Sequence, residues 1–553
     1  MESRTRIREL QHRIYAANEH KIRELVAAPS RFARADLDTY EIELDESVPL
    51  EWRPSTPKVL RAAIRKARVI LVGDYHTLKQ SQRGFLRILR TIRSGHLMIA
   101  LEFVAARHQK VVDDYVAGRI TDDVFLRRIE YVRNWPSYQV WPNFRPIFEY
   151  ARHRGARILA VDADPMQCTS VFARDCFVAW RLAEALREYP HHRLAILIGE
   201  AHLAPKHLPQ QLQSAATRLG IEPGILTIHQ NLDRVYLALA DRGIEDMMDV
   251  VMLTPERFVL PASSPIVAQQ SFLEAMAGEH SAIRSGDRAA LKREFARYVN
   301  SLARVLGLPR RNILDEVTVC GQTDLEELTR AVGFMGEEVW RLVSDHIASG
   351  ESLCLPEQKI VYLASLVPTH MAEEAAHYLK ARLAGGGTPQ DPMDYFYSRV
   401  LHEAIGYFGA KVFNPKRKPP RMRTMKEDAL RALFEPAEDN ISPDLLLAVH
   451  VAAWHRARQW RKGFAPALLD RYLVENGFAG GLSDLGPDVM RPLIHYLGYY
   501  LGEQLFCAWR DGQVSPKVPR KLFLTDFEAP GVAFEIYHDL AMGLRSIRLP
   551  ARF

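Results

Sequence analysis

Six short apolar runs, four of them followed by a stretch with helical spacing, constrain this chain more than any other feature. The runs are Val69 to Val72, Leu97 to Leu101, Ile158 to Val161, Leu194 to Ile198, Ile225 to Ile228 and Val235 to Leu239. Uninterrupted runs of this length suit strands buried on both faces. Between them, Thr77 to Arg93, Ala105 to Gly118, Arg145 to His153, Val171 to Glu188 and His207 to Leu219 repeat their apolar residues at helical intervals. Alternation of this kind predicts an α/β domain, a mostly parallel sheet covered by helices. The last two runs lie so close together that they predict an antiparallel final pair.

The texture changes at Leu260-Pro-Ala-Ser-Ser-Pro265, a linker by composition. Beyond it the periodicity is helical, for example over Arg288 to Leu306, Pro368 to Ala384, Asp394 to Gly409, Pro443 to Arg461 and Met490 to Arg510, which predicts an all-α C-terminal region. Ahead of the first strand, Ile7, Leu10, Ile14, Ile22 and Leu25 mark an amphipathic helix. The expected organisation is a helical arm over 1–50, the α/β domain over 51–262 and the helical region over 266–553.

Bulk properties exclude several classes. Apolar residues make up 47% and charged residues 25% of the 553, the balance of a globular protein with more than one core. A net charge of +6 over this length gives no general case for nucleic acid. No apolar run is long enough to span a bilayer. The start, MESRTRIRELQHRIYAANEH, has no signal-peptide core and no cysteine to accept a lipid, so a cytoplasmic location is expected. The five cysteines are scattered and form no zinc pattern.

Ligands of open α/β sheets bind at the carboxyl ends of strands. Versatile side chains collect at those ends here: Val69-Ile-Leu-Val-Gly73-Asp74-Tyr75-His76, Met98-Ile-Ala-Leu-Glu102, Ile158-Leu-Ala-Val-Asp162-Ala-Asp164, and Ile196-Leu-Ile-Gly199-Glu200-Ala201-His202. Two share the order apolar strand, glycine, acid, any residue, histidine. The expected site joins His76, Glu102, His202 and Glu200, with His76, His202, Glu102 and Asp74 as the donors for a divalent metal ion. Two imidazoles oriented by carboxylates serve equally well as an acid–base pair without metal. The competing structural reading makes both histidines loop caps bonded to backbone.

These motifs resemble the haem-binding-uptake/Tiki superfamily, and within it the ChaN-like domain. Val69 to His76 is similar to its first motif, although Asp74 stands where glutamate is usual; Ala100-Leu-Glu102 is similar to its next strand, and Ile198-Gly-Glu-Ala-His202 to its second GxxH. Asp114 to Gly118 and Trp135 through Trp141 to Pro146 resemble its middle region. The resemblance spans residues 60 to 260. It implies either metal-dependent hydrolysis of a peptide, ester or lactone bond, or non-catalytic binding of haem or iron with a tyrosine ligand. Tyr75, Tyr131 and Tyr138 are tyrosine candidates by location, Tyr75 foremost. The expected partner is therefore a small-molecule or peptide substrate, or haem. An interaction scaffold in which the helical half does the work is a third class.

Three further features stand apart. Lys411 to Lys426 holds seven basic residues among sixteen and no acid, which reads as an exposed solvated loop. Trp135, Trp141 and Phe144 with their prolines read as a pocket lining, a lid or plain packing. Glu374-x-x-His377 and Glu535-x-x-His538 have the spacing that carboxylate-bridged di-iron bundles use, though two further glutamates are needed and none is identifiable from spacing alone.

Overall fold

All six residues of Val69–Asp74 are buried, as are all nine of Leu97–Ala105. Strands lose both faces to solvent only when helices cover both sides of their sheet. The structure is a computed structural model that describes residues 2–26, 34–93, 95–131, 140–164, 170–261, 263–276, 288–309, 316–321, 324–349, 351–385, 389–419, 443–461 and 463–549. Its contacts group the chain into two units, one of Met1–His12 with Glu279–Leu549 and one built on Arg13–Gly278.

The second unit is built on an eight-stranded sheet: β1 Arg53–Pro54, β2 Val69–Asp74, β3 Leu97–Ala105, β4 Arg157–Asp162, β5 Arg193–Gly199, β6 Ile225–His229, β7 Val251–Thr254 and β8 Arg257–Val259. The spatial order is β1-β7-β8-β6-β2-β5-β3-β4. From β8 to β4 every pairing is parallel, and β7 runs antiparallel to both its neighbours. Alternate residues supply two cores. Ile70, Val72, Ile99 and Leu101 meet the helices Lys79–Thr91, Gln109–Val116 and Trp141–Arg154 on one face. Val69, Leu71, Met98 and Ala100 meet Val171–Glu188 and Leu208–Arg218 on the other.

One expected strand is a helix. Val235 to Leu239 lies inside the helix Asp233–Asp241. Five residues are too few to tell the periods apart, but Leu232, Val235, Tyr236, Leu239 and Ala240 are the buried ones, spaced i, i+3, i+4, i+7 and i+8. The antiparallel pair is formed instead by β7 and β8, joined through Pro255 and Glu256.

The other unit is mainly helical, as expected, with long helices at Arg288–Leu306, Pro368–Ala384, Pro392–Phe413, Pro443–Arg458 and Pro487–Arg510. Five of its described helices open on a proline, which has a pre-set φ and no N–H to leave unsatisfied. The unit also carries a small sheet that helical periodicity did not announce: β9 Thr318–Gly321, β10 Leu353–Leu355 and β11 Ile360–Leu363, ordered β10-β11-β9. Runs of three and four residues leave too short a trace.

The basic stretch from Lys411 is a second correction. Its described part is largely buried: Lys411 is 1% exposed and bonds Glu503 at 3.2 Å, and Arg417 pairs with Glu373 at 2.8 Å. Cations that look solvated in sequence answer carboxylates buried on distant helices. Residues 420–426 lie outside the described residues. Among the described residues, no helix is long and apolar enough to cross a membrane.

Candidate functional site

Parallel strands deliver their carboxyl ends to one edge, and register decides which side chains meet there. Asp74 at the end of β2 pairs with Gly199 at the end of β5, and Leu101 of β3 pairs with Leu197 of β5 and Ala160 of β4. His76 therefore follows β2, His202 follows β5, Glu102 lies in the second half of β3 and Asp162 ends β4 around them. The β3–β4 ladder shifts register between Leu101 and Ala105, so Glu102 sits in an irregularity of the kind that re-aims a side chain.

His76, Glu102 and His202 come together. His76 Nε2 is 4.0 Å from Glu102 Oε2, and His202 Nε2 is 3.6 Å from Glu102 Oε1. Each imidazole is held at its other nitrogen by a carboxylate. His76 Nδ1 donates to Asp74 Oδ2 at 2.8 Å, and His202 Nδ1 to Asp175 Oδ1 at 2.5 Å. Asp74 in turn accepts from Gln82 Nε2 at 2.6 Å, and Asp175 from the Tyr40 hydroxyl at 3.1 Å. Glu102 accepts from the Gly199 N–H at 2.6 Å and pairs with Arg174, whose Nε donates to Asp162 at 2.7 Å.

The electrostatics follow from these partners. Burial pushes Glu102 up, but Arg174, His202, His76 and the Gly199 N–H outweigh it and hold the carboxyl at about 2. Burial pushes both histidines down; Asp74 and Glu102 more than reverse this for His76, and Asp175 and Glu102 for His202, so both imidazoles titrate above 6.5. Burial raises Asp74 against the pull of His76. Of the cluster, His76 is the most exposed at 28%, against 8% for His202 and 3% for Glu102.

Glu200 is not brought to this cluster. Its carboxylate accepts from His229 Nδ1 at 2.8 Å, Gln230 N at 3.0 Å and Asn231 N at 3.2 Å, which ties the end of β5 to the loop after β6. It passes over Gly73, where an added Cβ would lie 2.1 Å from Oε2. Tyr75 is half-buried beside Asp74, with its backbone N–H on Ser81. The Tyr131 hydroxyl accepts from Val140 N and Trp141 N and braces the start of a helix. Trp141 and Phe144 pack in the core with Phe103. Trp135 and Tyr138 lie outside the described residues.

Sequence reasoning missed Arg174, Asp175 and Tyr40. Arg174 and Asp175 occupy the first turn of Val171–Glu188, and Asp175 is wholly buried. Two adjacent charges opening an apolar helix beside a strand end were the available signal. Tyr40 comes from the helix Arg34–Glu46 and left none.

As a metal centre the arrangement fits poorly. Both oxygens of Glu102 are committed, one to a guanidinium, and a cation beside Arg174 meets like charge. Among the described residues, no three His, Cys, Asp or Glu side chains are placed to hold a metal ion. As an acid–base centre it fits better, because a buried carboxylate orients each imidazole.

Residues 60–176 match a family model described as haem-binding uptake, Tiki superfamily, ChaN. The match contains His76, Glu102 and Arg174 and stops before His202. Among solved structures, the chain is similar to ChaN of Campylobacter jejuni, described by cofacial heme binding, at 14% identity over 32% of this chain and 88% of that one, with a TM-score of 0.27. No curated protein sequence matches it.

Two stability predictions follow from the geometry. Gly73→Ala forces a pinned carboxylate to move and should cost about 2 kcal/mol in urea denaturation, a cost that shrinks when Glu200→Ala is already present. Glu102 is ionised more readily in the folded chain than in the unfolded one. Its contribution is complete above about 4.5 and is lost as pH falls towards about 2. Urea titrations across that window should fall steeply for the native chain and less steeply for Glu102→Gln, which starts about 3 kcal/mol lower because Arg174 loses a partner.

Proposed function

We propose that this ChaN-like domain of the haem-binding-uptake and Tiki superfamily hydrolyses an ester, lactone or peptide bond by acid–base chemistry at His76. The reading rests on one observation: two imidazoles, each oriented by its own carboxylate, face a glutamate whose charge Arg174 already matches. A metal ion is not needed to hold these groups together.

In this scheme neutral His76 accepts a proton at Nε2 from water as the water oxygen bonds to the substrate carbonyl carbon and the carbonyl π pair moves to oxygen. Asp74 keeps the Nδ1–H oriented and favours the imidazolium that forms. The fixed positive charge of Arg174 stabilises the oxyanion. Collapse of the tetrahedral species breaks the bond to the leaving oxygen or nitrogen, which receives the proton back from His76. Glu102 is the counter-charge that keeps Arg174 in place.

The second reading is haem binding without catalysis. What favours it is the family match over residues 60–176, and Tyr75 beside His76 is the candidate ligand.

The test uses full-length protein, treated with chelator, against panels of aryl esters, lactones and peptides. Expected is turnover that survives chelation and falls at least about 100-fold in His76→Ala. Because His76 is protonated to above pH 6.5, turnover should rise with pH through that raised value. Turnover lost to chelator and restored by zinc would move the reading to metal-assisted hydrolysis by His76, His202, Glu102 and Asp74. Absence of turnover on every panel, with a Soret band on haem titration that weakens in Tyr75→Phe, would leave the binding protein.

A further inference from the structure

Tyr40 is 7% exposed and comes from the helix Arg34–Glu46, ahead of the residues that match the family model. Its ring touches two histidines. It stacks on His207 with centroids 3.6 Å apart and an interplanar angle of 22°, and it meets the His202 ring edge-on at 6.1 Å and 73°. Its hydroxyl donates to Asp175 Oδ2 at 3.1 Å, and His202 Nδ1 donates to the other oxygen of the same carboxylate at 2.5 Å. One buried acid thus serves two donors from distant parts of the chain.

The placement of Tyr40 is itself secured. His207, 3% exposed, donates from Nδ1 to Ala201 O at 3.0 Å and from Nε2 to Glu43 Oε2 at 2.5 Å. Glu43 stands three residues after Tyr40, which puts both on one helix face, so a single helix holds His207 by a stacked ring and by a carboxylate. Leu44 adds an apolar anchor, in a buried cluster with Ala204 and Leu232. Ala201 and His202 lie in the turn Glu200–Leu203 after β5, and Ala204 follows it. The helix is therefore fastened to the turn that carries His202.

A phenylalanine ring would stack on His207 equally well. What the hydroxyl adds is a donor for Asp175. Burial, Asp175, Cys176 and Glu43 all push that hydroxyl far above its ordinary range, so it keeps its proton and donates.

We infer that Tyr40 is a positioning residue of the strand-end centre, whose hydroxyl shares Asp175 with His202 and so sets the bond that orients that imidazole. Two donors on one carboxylate each draw on the same negative charge, and each weakens the hold of the other. The contacts run on from His202 Nε2 to Glu102 Oε1 at 3.6 Å, and Glu102 holds Arg174. A helix outside the family match thus braces the charge pair at the middle of the cluster.

The experiment records proton spectra of full-length protein carrying isotope-labelled histidine, and identifies the His202 Nδ1–H resonance by its loss in His202→Gln. In Tyr40→Phe the ring remains and the hydroxyl is gone. Expected is a downfield move of that resonance, because Asp175 is left to His202 and the bond tightens. Glu43→Ala, at a side chain 33% exposed, loosens the hold on the Tyr40 ring and should move the resonance the same way by less. Circular dichroism reports folding for each. A second arm rests on the acid–base reading proposed above: on a substrate that is turned over, kcat should fall about fivefold in Tyr40→Phe with KM unchanged. An unmoved resonance in folded Tyr40→Phe, or in Glu43→Ala should Tyr40→Phe not fold, overturns the assignment whatever the turnover. A loss expressed in KM with kcat intact overturns it too. Absence of turnover in the native chain removes the hydrolase reading alone, and the resonance then decides.

Discussion

A carboxylate with 3% exposure has to be answered by positive charge, and the answer given to Glu102 organises the α/β unit. Arg174 reaches it from the helix Val171–Glu188 and is itself held by Asp162 at the end of β4. Gly199 N–H reaches it from the end of β5. The two histidines then lie beside a charge that is already compensated, and each takes its orientation from a different acid, Asp74 or Asp175. Three strand ends and one helix are thus tied to a single pair of oxygens. Removing Glu102 would leave a buried guanidinium and two imidazoles without the charge that gathers them.

Much of this was legible before coordinates. Apolar runs bounded by turn residues located β2 to β6, because strands covered on both faces carry no polar alternation to obscure them. The rule that parallel strands expose their carboxyl ends together made His76, Glu102 and His202 candidates for one site. What sequence withheld was which acid serves which histidine. Glu200 occurs in the same Gly-acid-x-His order as Asp74, yet it leans across Gly73 to the next strand end while Asp74 turns back to its own histidine. Direction at a strand end depends on what space the neighbours leave, and that is a tertiary fact. Asp175 was hidden for a related reason: its partner lies 27 residues away, and only the packing of a helix against β5 brings them together.

The C-terminal unit teaches the same lesson in reverse. A run of cations at Lys411 to Lys418 reads as a solvated surface, because charge density in sequence is normally charge density in water. Lys411 and Arg417 instead neutralise Glu503 and Glu373 inside the helices. The short strands β9 to β11 escaped notice because three or four residues cannot establish a period. Length, more than residue type, set what could be read.

The Glu200 clamp has a consequence for how this domain can diversify. The loop after β6 is anchored through its own backbone amides to a side chain from β5, and none of those bonds involves the histidine cluster. The foundation of this loop is therefore secured independently of the histidine cluster. The crest of that loop can therefore be lengthened or recharged while the histidine cluster beneath keeps its alignment.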